Sequence, residues 1–314
     1  MKRRVIDFHA HLGDIFDQRR NITFLRGVKP GSIWPNPFEG EYANVFTEHE
    51  KNHFTGPLIK DLDELPVLIE FSQQMCWANT IENVGKNLDE GGVDYICMFP
   101  VMPCNSFDEM YAASLLDKRI IPFASADFSL PENEMIEDLK RQINMGAKGL
   151  KIHPILQMIS LQDPKVDAAT DLFGKAGLPI ISHCGENNYY IEDWEKRNTP
   201  EFGNVVHMIE YANKYPQYNI IAAHAGGLMG GEEFTLAEGT KGLPNFYVDT
   251  TFRSAESIKD LIKLFGPDRI LYGTDNPWAT EKGSIAEVVE ACEGNAEIED
   301  KILYANAARL LHLA

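Results

Sequence analysis

The sequence predicts an α/β protein, a (β/α)8 TIM barrel with a long insertion after its first strand. Three observations predict it. Apolar runs of strand length recur eight times along the 314 residues, and most are followed by a stretch of helical length. That alternation produces a parallel sheet. The strand bodies are Val, Ile, Leu and Phe, while several strand ends carry His, Lys or Asp. No Gly-x-Gly-x-x-Gly follows any of the runs, which removes the main reason to prefer an open dinucleotide-binding sheet.

The first run, residues 5–11, reads Val-Ile-Asp-Phe-His-Ala-His. Successive side chains on a strand point to opposite faces, so His9 and His11 share one face. Residues 14–60 then show poor periodicity and many breakers, among them Pro30, Gly31, Pro35 and Pro37, interleaved with Phe16, Trp34 and Phe38. A segment this long inside a compact domain is usually functional, and its aromatics suit a lid or substrate wall, or a subdomain packed on the barrel or a neighbouring subunit. His49 and His53 within it are read as surface residues.

Residues 61–90 turn helical, with Asn79-Thr80 as a cap for the final piece and Gly91-Gly92 as its stop. The next strands are expected at 93–99, 120–126, 149–153, 179–183, 220–224, 246–249 and 270–273. Helices are expected near 107–116, 132–144, 166–175, 201–211, 255–264, 285–291 and 298–311, with a Gly-rich stretch after His224. No second composition divides the chain, so residues 1–314 are read as one domain with 14–60 as its insertion.

With 44% hydrophobic residues the chain can bury a large core, yet it has no apolar run long enough to span a membrane. The apolar run behind Lys2-Arg3-Arg4 is cut by Asp7 and His9, unlike a secretion signal. Five scattered cysteines with no Cys-x-x-Cys suit a reducing cytoplasm. A formal charge of -18 argues against nucleic acid or an anionic membrane as partner. A small-molecule substrate is the expected partner, and the aromatic insertion is compatible with a homodimer.

In such barrels the active site lies at the C-terminal ends of the strands. Those ends bring His9, His11, Lys151, His153, His183, His224 and Asp275 toward one opening. One buried His is commonly a core residue, but this many metal-competent groups at one rim point to a metal site.

The residues that carry this reading also resemble a family. Asp7-Phe8-His9-Ala10-His11, Lys151-Ile152-His153-Pro154, His183-Cys184-Gly185-Glu186, His224-Ala225-Gly226-Gly227 and Tyr272-Gly273-Thr274-Asp275-Asn276-Pro277 resemble motifs of the amidohydrolase superfamily. The likeness is to its amidohydrolase 2 branch of metal-dependent TIM-barrel hydrolases, which also holds aminocarboxymuconate-semialdehyde and resorcylate-type decarboxylases. The resemblance implies that His9, His11 and His183 are metal ligands and that Asp275 is a further ligand or the acid/base. It makes His224 a catalytic histidine beside the metal. One zinc ion is the expected cofactor, with manganese as an alternative. A binuclear site bridged by carbamylated Lys151 is a further option.

Other residues carry weaker readings. Lys151 otherwise holds a substrate carboxylate or simply closes its strand, and His153 lines the pocket. Arg253 clamps a substrate carboxylate or forms a surface ion pair. Asn276 and Trp278 line the pocket, and Glu186 orients ligands from behind or is ordinary loop polarity. Cys184 points away from His183, and His207 and His312 are structural.

These readings predict a metal-dependent hydrolase that cleaves an amide, lactone or ester in a small polar molecule. The alternatives are a non-oxidative decarboxylase of an aromatic or unsaturated carboxylic acid, and a non-catalytic metal- or ligand-binding barrel. Ala225-Gly226-Gly227 after His224, and Cys184-Gly185-Glu186 after His183, favour the hydrolase by analogy.

Overall fold

Parallel pairing joins the apolar runs in chain order. In the computed structural model, residues 3–16, 23–27, 65–190, 192–227 and 231–313 are described. The strands are β1 (Ile6–Ala10), β2 (Tyr95–Met98), β3 (Ile120–Pro122), β4 (Ala124–Ser125), β5 (Leu150–Ile152), β6 (Ile180–Ser182), β7 (Ile220–Ala222), β8 (Phe246–Asp249) and β9 (Ile270–Leu271). β1 pairs with β2 and β2 with β3, while β4 to β9 pair in order, every pair parallel. β3 and β4 are two halves of one barrel strand. The ring closes where Phe8 N–H donates to Tyr272 O at 2.8 Å and Ala10 bridges in parallel to Asn276.

Side-chain alternation divides the core. Leu150, Ile180, Ile220 and Phe246 share one register and pack outward against the helices. Their neighbours Lys151, Ile181, Ile221 and Tyr247 share the next register, and the apolar three join Ile6, Phe8, Phe99, Phe123 and Leu271 inside the barrel. A bulge in β1 changes this parity. Between Asp7 and Ala10 the chain advances three residues against two on β2, so both Phe8 and His9 approach Phe99, at ring-centroid distances of 6.4 and 5.2 Å. Bulges re-aim side chains in this way, and period-2 reading alone would have separated Phe8 from His9.

Helices at Phe107–Leu116, Glu132–Met145, Pro164–Lys175, Val205–Lys214, Ala255–Phe265 and Glu281–Ala291 cover the sheet near their expected positions. The helical stretch before β2 is two helices, Leu65–Ala78 and Ile81–Gly91, and Thr80 occupies the N-cap of the second without a side-chain bond. A helix at Glu232–Gly239 follows the Gly-rich stretch, where none was expected. The final helix widens into a π turn at Lys301–Ala305. There Ile302 O accepts the Tyr272 N–H from beyond β9 at 3.0 Å, which diverts a carbonyl from the helical ladder.

Apart from residues 14–16 and 23–27, the expected insertion lies outside the described residues, as do His49 and His53. Among the described residues, no helix is long and apolar enough to cross a membrane.

Candidate metal centre

Two segments 267 residues apart in sequence, at Asp7 and Thr274, are knitted together to make the site. Asp7 Oδ1 accepts the backbone N–H of His9 at 2.9 Å and of Thr274 at 3.2 Å, and the Thr274 hydroxyl donates to Asp7 Oδ2 at 2.5 Å. Asp275 N–H donates to His9 O at 2.7 Å, and His11 N–H donates to Asn276 O at 2.9 Å. The consequence is a convergence. Asp275 Oδ1 lies 3.3 Å from both His9 Nε2 and His11 Nε2.

This cluster fits a divalent ion on its own chemistry. His11 Nδ1 lies 2.8 Å from Phe99 O, a carbonyl that only accepts, so the neutral ring carries its hydrogen there and leaves Nε2 bare. Asp275 Oδ1 is buried with no hydrogen-bond partner, and a buried orphan carboxylate oxygen calls for a cation. Burial alone would raise the Asp275 carboxyl, but His9, His11 and Lys151 outweigh it and hold it at about 2. Burial, reinforced by Lys151, pushes His9 well below the usual imidazole value. A neutral His9 and an ionised Asp275 are the protonation states that metal ligation needs.

His183 does not join this cluster. Its Nε2 donates to Gly185 O at 2.8 Å, and its Nδ1 lies 3.2 Å from His224 Nε2. The carbonyl two residues downstream engages one ring nitrogen of His183, and His224 faces the other. Among the described residues the groups able to hold a metal are His9, His11 and Asp275, and His9, His224 and Asp249, each with ligand atoms within 4.8 Å. Burial, then Lys151, lowers His183 to about 4.

His224 reaches the site from a strained turn. Its φ is 63°, in the left-handed region, and its backbone is fixed on both sides. Its N–H donates to Asp249 Oδ1 at 2.9 Å, and its carbonyl accepts two bonds from Arg253, at 3.0 and 2.5 Å. Its ring stacks on Phe252, and Nε2 stands 3.9 Å from Asp275 Oδ2. His224 Nδ1 is buried without a partner.

Lys151 and His153 both face the interior. Lys151 Nζ lies 3.2 Å from His9 Nε2 and 5.2 Å from the centroid of the Phe99 ring. Burial lowers this ammonium to about 8, against the opposing pull of Asp275 and Asp249. His153 stacks face to face on His183 at 4.3 Å, and its Nδ1 accepts from Leu156 N–H at 3.3 Å.

The remaining readings separate. Arg253 is neither at the surface nor open to a substrate: it is buried beneath the His224 turn, bonded to His224 O, Ala225 O and Ser257 and paired with Glu233. Asn276 is likewise buried in a polar network, donating to Asn79 Oδ1 and accepting from Asn87. Glu186 is exposed and accepts from Asn204 at 2.6 Å, so it ties its loop to the next helix. Trp278 packs 5.9 Å from the His11 ring and 5.7 Å from Phe16, and its Nε1–H donates to Ser72 O.

Two residues went unrecognised in the sequence. Asp249, fully buried at the end of β8, places Oδ2 2.8 Å from His9 Nδ1. An acid closing the apolar run Phe246-Tyr247-Val248 obeys the same strand-end rule that identified Asp275. Tyr189 lies between Phe16 and His153 and sets its hydroxyl 3.5 Å from His183 Nε2. No periodic signal marks it, because it sits in a loop.

A family model described as Amidohydrolase matches residues 97–313. Among solved structures, an uncharacterised TIM-barrel protein from Bordetella bronchiseptica superposes with a TM-score of 0.64 at 14% identity, covering 99% of each chain. A 2,6-dihydroxybenzoate decarboxylase from Rhizobium matches with a TM-score of 0.64 at 16% identity, again over 99% of each chain. A probable 2-pyrone-4,6-dicarboxylic acid hydrolase from Acinetobacter baumannii matches with a TM-score of 0.62 at 12% identity, over 98% of this chain and 99% of that one. At such identities the likeness establishes the barrel fold.

Proposed function

We propose that this chain, which belongs to the amidohydrolase family, is a metal-dependent hydrolase that directs water onto the carbonyl carbon of an amide, lactone or ester in a small polar molecule. The observation that carries this reading is the buried convergence of His9 Nε2, His11 Nε2 and Asp275 Oδ1. Two imidazoles and one carboxylate suit zinc, with manganese as the alternative. A divalent ion held by these three residues supplies Lewis acidity, polarising a substrate oxygen and acidifying a neighbouring water.

The chain's own groups do the rest. Asp275 has a second oxygen, Oδ2, turned toward His224 at 3.9 Å. It takes the proton of the attacking water and hands it to the leaving group. His183 Nε2 is engaged as a donor to Gly185 O, so its Nδ1 accepts and His224 Nε2 carries a hydrogen. That hydrogen is held by His183 Nδ1, and a substrate oxygen gaining negative charge would draw it away from that partner. The Lys151 ammonium holds a substrate carboxylate. Phe16, Tyr189 and Trp278 form a ring cluster beside His11 and His183 whose aromatic surface would shield the site from bulk water.

One observation favours a second reading on the same site, a non-oxidative decarboxylase. Lys151 offers a buried cation beside the Phe99 ring, a setting that fits a planar aromatic carboxylate. The carbon that loses CO2 then takes a proton from water, relayed through Asp275.

The test is the metal content of protein purified without chelators, wild type against His9→Ala/His11→Ala, followed by assays of acid release and CO2 release. The panel contains lactones, esters, amides and hydroxylated aromatic acids. About one metal per chain, lost in the double variant, with acid release without CO2 supports the hydrolase. CO2 release selects the second reading. Bound metal with no turnover across the panel selects a binding barrel, and no metal uptake after soaking in zinc or manganese overturns both enzymatic readings.

A further inference from the structure

Asp249 presents each of its oxygens to a different part of the site. Oδ1 accepts the backbone N–H of His224 at 2.9 Å and of Thr251 at 3.1 Å. Oδ2 lies 2.8 Å from His9 Nδ1, which also has the Thr251 hydroxyl at 3.3 Å. On the far side of the same ring, Nε2 has Lys151 Nζ at 3.2 Å and Asp275 Oδ1 at 3.3 Å. An ammonium has only hydrogens to offer. Nε2 therefore accepts, and the ring hydrogen sits on Nδ1, donated to Asp249 Oδ2.

We propose that Asp249 is a positioning residue of the metal centre. It fixes His9 in the Nδ1–H tautomer, which presents the Nε2 lone pair toward Asp275, and with its other oxygen it pins the left-handed turn that carries His224. One carboxylate thus sets both a ligand and the residue beside it, as partners behind ligating histidines commonly do. The proposal rests on the reading of His9, His11 and Asp275 as the ligand set.

The rival use of these atoms is a second metal site on His9, His224 and Asp249. It is disfavoured because a 2.8 Å contact between ring nitrogen and carboxylate is a hydrogen bond with its hydrogen in place. A cation on Nδ1 together with one on Nε2 would require His9 to lose both ring hydrogens.

Asp249→Asn tests the proposal. The amide has one acceptor oxygen, and the two backbone N–H groups of His224 and Thr251 claim it. The NH2 group then faces His9 Nδ1, which must accept, so the ring hydrogen moves to Nε2. Nitrogen-15 spectra of histidine-labelled, metal-free protein, with His9 assigned by its loss in His9→Ala, are expected to show Nδ1–H in the wild type and Nε2–H in Asp249→Asn. Zinc affinity is expected to fall about 10–100-fold with the circular dichroism spectrum unchanged.

A wild-type His9 protonated on Nε2 overturns the proposal, and needs no variant to fold. So does an Asp249→Asn protein with wild-type zinc affinity, or a second zinc equivalent that the substitution abolishes. If the wild type shows Nδ1–H but takes up no zinc, the ligand-set reading fails while the tautomer assignment stands.

Discussion

Behind the histidine-bearing end of β1, the buried Glu281 carboxyl, whose Oε2 accepts the Tyr272 hydroxyl at 3.0 Å, stands near enough to Asp7 to raise it. Both are buried, and two neighbouring carboxyl groups out of water favour holding a proton over ionising together. Burial first, and then Glu281, holds Asp7 well above the usual carboxylate range. Burial raises Glu281 to about 7. Because Asp7 also bonds His9 and Thr274, this protonated pair anchors the two segments that carry the proposed ligands.

A pH dependence of stability follows. The folded Glu281 binds its proton more tightly than the unfolded one, so its contribution is complete below about 4.5 and is lost as pH rises through about 7. Glu281→Gln keeps a neutral partner for Tyr272 and Asp7. It is expected to match the wild type near pH 5 and exceed it by about 1–3 kcal/mol near pH 8. Urea unfolding at the two pH values measures the difference, and parallel profiles would refute the proton held by the pair.

Asp275→Asn removes the only charge in the proposed ligand set while keeping its shape. Turnover on any substrate found in the panel is expected to fall about 100- to 10,000-fold, with weaker metal retention. Full rate with wild-type metal content would remove Asp275 from the acid/base role.

Arg253→Ala leaves Glu233 and the His224 carbonyl without their buried partner. A loss of about 3–5 kcal/mol is expected, with part of it recovered in Arg253→Ala/Glu233→Gln. A loss below 1 kcal/mol would show that the turn holds itself.

Lys151→Met tests the carboxylate grip. KM for a carboxylate substrate is expected to rise about 10- to 100-fold, the worth of a charged hydrogen bond, while neutral esters keep their KM. Equal effects on both substrate types would place Lys151 in ligand or barrel support.

Gly203→Ala probes the loop behind His183. An added Cβ would stand 2.1 Å from Gly185 O and 2.8 Å from Ile155 Cδ1, against a backbone contact in which Gly185 N–H donates to Gly203 O. Overpacking of this kind is expected to cost about 1–3 kcal/mol, visible as a lowered melting temperature. An unchanged melt would mean that the loop yields.

Much of the barrel and its rim was legible in the chain because the rules that govern them are local. Apolar runs, their spacing and the polar residue that ends each one were enough to place His9, His11, Lys151, His153, His224 and Asp275 around one opening. Tertiary structure decided which of them meet and in what state. The bulge that aims His9 inward depends on the register with β2, and the capture of His183 Nε2 depends on how its loop turns back. Arg253 reads as a substrate clamp or a surface ion pair, and Asn276 as pocket lining, because a charge or amide near a strand end looks alike in sequence whether it faces the opening or the back of a turn. Asp249 acts on a ring 240 residues away. A tautomer is fixed by the partner at each ring nitrogen, and those partners become neighbours only when the barrel closes.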